Sequence, residues 1–189
     1  MFHTIFVVLT AVFMTGRMWF HIRARSWKRE QQHAEGVAMR TARIVLGYPM
    51  LIGTAIYIFR PQWLRWAAFP LPDSVRWAGV VIAASGCLLC LWTHYALAGN
   101  FSPTLRIREA QTLVRGGPYR WVRHPMYTAF VLLFSGLLLL SAMWFPAFGL
   151  ALMFVLMHYR TPREEQMMLD AFGEEYRRYM ASAPRYLPW

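Results

Sequence analysis

The chain has 189 residues, of which 57% are hydrophobic, 16% aromatic and only 15% charged. A soluble domain usually carries about 25% charged residues. An ordinary water-soluble globule is therefore excluded, and so is an open sheet, whose edge amides would go unsatisfied in lipid. The net charge of +11 would point a soluble protein toward nucleic acid, but in a membrane chain it reports topology, because Lys and Arg gather in cytoplasmic loops.

The expected architecture is an all-α integral membrane protein of one domain, residues 1–189, with about five spans. Residues 1–20 form the first. Met1 to Gly16 carries no charge beyond the terminal amine, and Arg17 can snorkel toward an interface. No basic segment precedes this run and no small-x-small site follows it, so a cleavable signal peptide is not expected. Residues 21–43 are polar and hold six basic residues. Ile44 to Phe59 is the second span, with a kink expected at Pro49. Residues 60–76 contain Pro61, Pro70 and Pro72 among Trp63, Trp66 and Phe69, the composition of a loop in the headgroup region. Trp77 to Ala98 is the third span. Its Cys87 and Cys90 sit in an apolar run without a metal-ligand set around them, so helix packing is expected there and no metal.

Residues 99–124 are polar. From Pro125 to Tyr159 there are 35 uncharged residues. One helix of that length would be about 52 Å, too long for a hydrocarbon core of about 30 Å. A helical hairpin over 125–159, turning near Ser141–Pro146, fits better and supplies the fourth and fifth spans. Residues 160–189 are charged. In the tail, Met168, Phe172, Tyr176 and Tyr179 recur at helical spacing, which predicts an amphipathic helix on the membrane surface or folded back over the polar segment.

Five spans place 21–43, 99–124 and 158–189 on one side, with sixteen basic residues between them. The other side has Arg60, Arg65 and Arg76. The positive-inside rule then puts the N-terminus outside and the C-terminus in the cytoplasm. It also brings the segment 113–127 and the charged tail to one cytosolic face.

Three local patterns in those segments can carry chemistry. Gly116-Gly117-Pro118-Tyr119 is a turn whose backbone can approach a ligand, or simply a loop. In Arg123-His124-Pro125, the residue before proline is held extended, so His124 does not continue a helix backward. Arg120 and Arg123 are assigned first to lipid phosphates. Arg160 and Glu164 share a face if the helix runs through Pro162. If the helix instead starts at Thr161, Glu164 is the carboxylate of a capping box.

Together these patterns resemble a known family. The run Leu-Val-x-x-Gly-Pro-Tyr-x-x-x-Arg-His-Pro-x-Tyr over 113–127 is similar to the signature of the isoprenylcysteine carboxyl methyltransferase family. The tail from Arg160 through Glu164-Glu165 and Phe172-Gly173 to Tyr179 is similar to the family's second block, and Asn100-Phe101-Ser102 to the Asn-aromatic-Ser of bacterial members. The resemblance covers about residues 95–188; residues 1–98 match only as three additional spans, and 99–189 becomes the catalytic half.

The resemblance implies a membrane methyltransferase that uses S-adenosylmethionine. It implies cofactor contacts at Gln111, Thr112, Leu113, Val114, Tyr119, His124, Pro125, Met126, Tyr127 and Glu164, and a substrate contact at Arg160; Arg160 and Glu164 are the catalytic pair. The sequence departs from the family pattern at Gln111, where a His is frequent, at Ala129, where a Gly is usual, and at Pro162.

Methyl transfer is an in-line displacement, so such an enzyme mainly positions two reactants. A carboxylate acceptor needs no general base, whereas an amine does. The expected partners are the bilayer and a lipophilic acceptor such as a prenylcysteine-type carboxylate. A phospholipid amine or thiol acceptor, a membrane reductase using a nicotinamide cofactor, and a non-catalytic binder of anionic lipid are the alternatives.

Overall fold

A computed structural model of the chain describes residues 1–25, 37–97 and 113–187. All regular elements among them are helical, apart from an isolated antiparallel bridge between Ala68 and Met143. Three stretches are long and apolar enough to cross a membrane: Phe2–Phe20, Met39–Phe59 and Asp73–Leu97. Pro125–Ser141 is a shorter apolar helix.

Helix α1 spans Phe2–Arg25. Phe2, Phe6, Thr10 and Phe13 are buried on one stripe, while Val8, Val12, Met18 and Trp19 face outward. The second span is continuous helix built from α2 (Val37–Ala42), a π-helical turn (Arg43–Gly47) and α3 (Tyr48–Phe59). Where a kink at Pro49 is expected, the structure has this π-turn just ahead of the proline. The π-turn widens the helix where the proline ring would otherwise meet the carbonyl one turn back.

Helix α4, Asp73–Leu97, starts four residues earlier than expected, with Asp73 in its first turn where a carboxylate suits the positive end of the helix. It packs backbone to backbone on α5, Pro125–Ser141. A Cβ added at Gly79 would lie 2.6 Å from Leu140 N, and one at Gly86 2.5 Å from Leu133 N. A Cβ at Gly136 would overlap the Ala83 backbone in return. Inside a membrane, where lipid is as apolar as Leu, such close van der Waals contact holds helices together. Cys87 and Cys90 are free thiols buried on α4.

The hairpin turns where expected. Ala142 adopts the left-handed conformation (φ 53°) after α5, and α6 begins at Pro146. Where a loop is expected after Arg60, the chain forms a 3-10 helix, Pro61–Ala67, and the hairpin turn is stitched to its end: Phe69 N–H donates to Ala142 O at 3.0 Å, and Trp144 N–H to Ala67 O at 3.2 Å. The exposed rings of Trp63, Trp66 and Trp144 crowd this end of the bundle, as aromatic residues do at an interface.

Helix α6 runs unbroken from Pro146 through Pro162 to Phe172. At 27 residues it is about 40 Å long: an apolar half, Pro146–Tyr159, is followed by a charged half from Arg160 on. Thr161 is therefore inside the helix and not at its start. The tail is also two elements and not one: Gly173 (φ 49°) ends α6, and α7 covers Glu174–Ser182. A left-handed residue redirects the chain, and glycine adopts that conformation without a Cβ penalty.

Candidate active site

Both halves of the family-like signature meet at the end of the bundle away from the Trp-rich loop. A short 3-10 turn, Gly117–Arg120, precedes α5. Gly117 has φ 61°, and a Cβ there would lie 3.1 Å from Ala96 on α4. The turn thus rests directly on α4, and Trp121 packs edge-on to Trp92 at 5.3 Å. Burial pushes the Tyr119 phenol above its ordinary value, and Tyr179, Glu164 and Cys90 push it in the same direction. His124 is neither helical nor fully extended (φ −125°, ψ 59°) ahead of Pro125, so α5 does not continue backward through it.

Glu165 is the centre of the cluster. Its side chain is 4% exposed and is met by three partners from distant parts of the chain. Arg123 Nη2 donates to Oε1 at 2.9 Å, Arg185 Nη2 donates to Oε2 at 2.7 Å, and His124 Nε2 lies 3.3 Å from Oε1. Burial alone would raise the carboxyl's pKa. The bonds from His124, Arg185 and Arg123 outweigh it and hold the group at about 2. Arg123 Nε also donates to Glu165 Oε1, and its Nη1 donates to Met180 O and Ala183 O. Its assignment to lipid phosphate is thereby corrected: a guanidinium 8% exposed and held by four such bonds does not reach headgroups. Arg120 remains exposed beside the Trp121 ring.

Glu164, one residue earlier, sits in a different setting. Arg160 Nη2 donates to its Oε1 at 3.0 Å from one turn away, and Tyr127 OH donates to the same atom at 3.1 Å. His124 Nδ1 lies 3.7 Å from Oε2. The continuity of α6 through Pro162 decides between the two readings of Glu164: it is the partner of Arg160 and not a helix cap. Its side chain is 23% exposed, so a face of the carboxylate is open. Arg160 Nε is buried and has no hydrogen-bond partner among the described residues.

The last residues strap this arrangement down. Arg123 N–H donates to Pro184 O at 2.8 Å, and His124 N–H to Arg185 O at 2.9 Å. Thr128 Oγ1 donates to Tyr186 O at 2.7 Å, and Tyr186 OH to Thr161 Oγ1 at 2.8 Å. Helix α7 folds back over the polar segment, one of its two expected positions. Its Tyr179 OH donates to Tyr119 O at 2.5 Å, and Arg115 pairs with Glu175 at 2.8 Å. Tyr176, Tyr179 and Ala183 form a small core with Leu113.

The structure thus brings Tyr119, His124, Pro125, Met126, Tyr127, Arg160 and Glu164 to one end of the bundle, with Leu113 and Val114 leading into the turn. Gln111 and Thr112 lie outside the described residues, as do Asn100 to Ser102. Arg185, Tyr186, Thr128 and Thr161 were not expected at the site. Two signals pointed to them only faintly: the consecutive carboxylates of Glu164-Glu165, and the Arg-Tyr pair between the terminal prolines. Among the described residues no His, Cys, Asp and Glu side chains are grouped to hold a metal ion.

A helical bundle with bilayer-length apolar helices and a cluster of paired ionised groups at one end is a multi-pass membrane protein with a polar site facing one side. Residues 75–175 match the model of the phospholipid methyltransferase family, and the chain belongs to that family of integral membrane methyltransferases. Its fold is similar to the solved structure of a eukaryotic intramembrane Ras methyltransferase, isoprenylcysteine carboxyl methyltransferase. The likeness has a TM-score of 0.57 and 18% identity, and covers 98% of this chain and 68% of that one. No curated protein matches the sequence.

Proposed function

We propose that the protein transfers a methyl group from S-adenosylmethionine to the carboxylate of a lipophilic acceptor of the prenylcysteine type, on the cytosolic side of its membrane. The observation that carries this reading is the contrast between the two adjacent carboxylates. Glu165 is saturated by cations, whereas Glu164 keeps an open face between Tyr127, His124 and Arg160. An open carboxylate there suits the ammonium group of the methyl donor. The buried, unpartnered Nε of Arg160 suits an anionic oxygen of the acceptor.

These donors and acceptors fit S-adenosylmethionine, which supplies an electrophilic methyl on a sulfonium when bound. Tyr119, His124, Tyr127 and Glu164 would hold it, with Leu113, Val114, Pro125 and Met126 alongside. Tyr127 and Arg160 fix the Glu164 carboxylate, so little reorganisation remains for binding. Glu165, held at about 2, is a poor proton acceptor at neutral pH. His124 has a carboxylate beside each ring nitrogen. A site whose candidate bases are so engaged favours an acceptor already ionised, a carboxylate, over an amine that must first lose a proton.

Calorimetry on the purified protein in detergent tests this reading. S-adenosylhomocysteine should bind with one site per chain. Saturation by a nicotinamide cofactor, with no heat from S-adenosylhomocysteine, would overturn it.

A further inference from the structure

The inward stripe of α1 ends in a charge. Phe6, Thr10 and Phe13 are buried, and Arg17 and Phe20 continue the same face half-buried. The outward positions beside them, Met18 and Trp19, are exposed. Arg17 therefore does not take the snorkelling route to the headgroups. Its guanidinium lies 5.1 Å from the centre of the Phe130 ring on α5. No carboxylate among the described residues pairs with it. An ionisable group facing the inside of a bundle at membrane depth marks a substrate or ion path more often than a structural accident.

What surrounds Arg17 is a seam between α1 and α5. Phe13 meets Phe130 edge-on at 5.9 Å, and Phe130 stacks on Phe134 at 6.2 Å. Deeper in the bundle, Thr10, Phe13, Met50, Thr54, Phe134 and Leu137 border a narrow apolar gap. Thr10 Oγ1 is buried there with no hydrogen-bond partner among the described residues. Along α5, Leu137, Phe134, Phe130 and Tyr127 follow one another at helical spacing on one face. The face leads from the gap to the Tyr127 hydroxyl, which donates to Glu164. Phe130, whose ring faces the Arg17 guanidinium, lies about one turn from Tyr127 on α5, so the space around Arg17 leads toward the site.

Resting on the proposed methyltransferase reading, we infer that Arg17 is a specificity-determining residue: it anchors the anionic head of an amphiphile whose chain lies along the α1–α5 seam. The ligand class is a carboxylate or phosphate on a long isoprenoid or acyl chain. The head then lies between Arg17 and Tyr127, and the N-terminal half of the chain contributes to a site otherwise built from residues 113–187.

The test uses the full chain in phosphatidylcholine nanodiscs and a photoreactive farnesylthioacetate probe. Unlabelled farnesylthioacetate and farnesyl phosphate should compete for labelling about tenfold better than farnesol. Inorganic phosphate should not compete, which separates an amphiphile's head from a free anion. Arg17→Gln should cut the preference for the two anions several-fold, with Arg160 holding what remains, and Arg17→Lys should retain most of the preference. A wild-type protein that does not prefer the anions overturns the inference without any variant. So does an Arg17→Gln protein with unchanged preference, or full competition by phosphatidylglycerol added to the discs, which would make Arg17 a bilayer anchor. S-adenosylhomocysteine binding is measured in the same samples. Its absence in the wild type sinks the methyltransferase reading and leaves the Arg17 result standing.

Discussion

Arg123 and Glu165 are 42 residues apart in sequence and 2.9 Å apart in space, with both side chains nearly excluded from solvent. This pair joins the start of α5 to the charged half of α6. Taking two charges out of water is costly, and the full set of hydrogen bonds around Glu165 offsets that cost. Removing Arg123 leaves Glu165 to Arg185 and His124 and strips Met180 O and Ala183 O of their donor. Arg123→Met is therefore expected to destabilise the protein by about 2–3 kcal/mol, measured as a fall in the midpoint of thermal unfolding in detergent. A midpoint unchanged within error would show that the pair is dispensable.

The depressed acidity of Glu165 has a pH signature. Its carboxyl is held at about 2 in the folded state against an ordinary value of 4.5. A group with a depressed folded value stabilises the fold above its unfolded value and loses that contribution as pH falls through the folded one. Stability should thus be flat in this respect above about pH 5 and decline between about pH 4.5 and 2. Unfolding followed by tryptophan fluorescence across that range checks the decline, and Glu165→Gln should flatten it while lowering stability at neutral pH.

Glu164 and Arg160 should separate by function. Glu164→Gln keeps the shape and removes the charge, so S-adenosylhomocysteine affinity is expected to fall about 10- to 100-fold, in line with the value of a charged hydrogen bond. Arg160→Ala should leave that affinity within a few-fold and raise KM for the acceptor instead. Equal effects of both variants on both ligands would contradict this division.

The α4–α5 contact leaves no room for side chains. Gly136→Val is expected to cost about 1–3 kcal/mol through overpacking, because the added carbons meet Ala83 backbone and not a movable side chain. Thermal unfolding of the variant in detergent measures the loss; full retention of stability would mean that the helices separate freely.

Much of this arrangement was legible in the sequence. The apolar runs set the helices, and the length of 125–159 forced the hairpin at Ala142. The Gly-Pro-Tyr and Arg-His-Pro-x-Tyr spacings marked one half of the site. What escaped was long-range pairing. Nothing local distinguishes Arg123, which is buried, from Arg120, which is exposed; only the arrival of Glu165 from α6 separates them. The strap of Pro184–Tyr186 left only a faint trace, since backbone carbonyls of Pro184 and Arg185 hold the Arg123 and His124 amides. The course of α6 through Pro162 ran against the usual rule for proline, and local sequence left it undecided. The inward direction of Arg17 needed the stripe of α1 to be seen against α5.

The glycine and alanine contact between α4 and α5 also sets which walls of the bundle can give way. With backbone against backbone at Gly79, Gly86 and Gly136, those two helices act as one stiff plate. The side facing α1 is held instead by rings and flexible chains such as Phe13, Met14 and Phe130. A bulky hydrocarbon tail sliding in from the bilayer would part that side first, which would make α1 the door and the α4–α5 plate its frame.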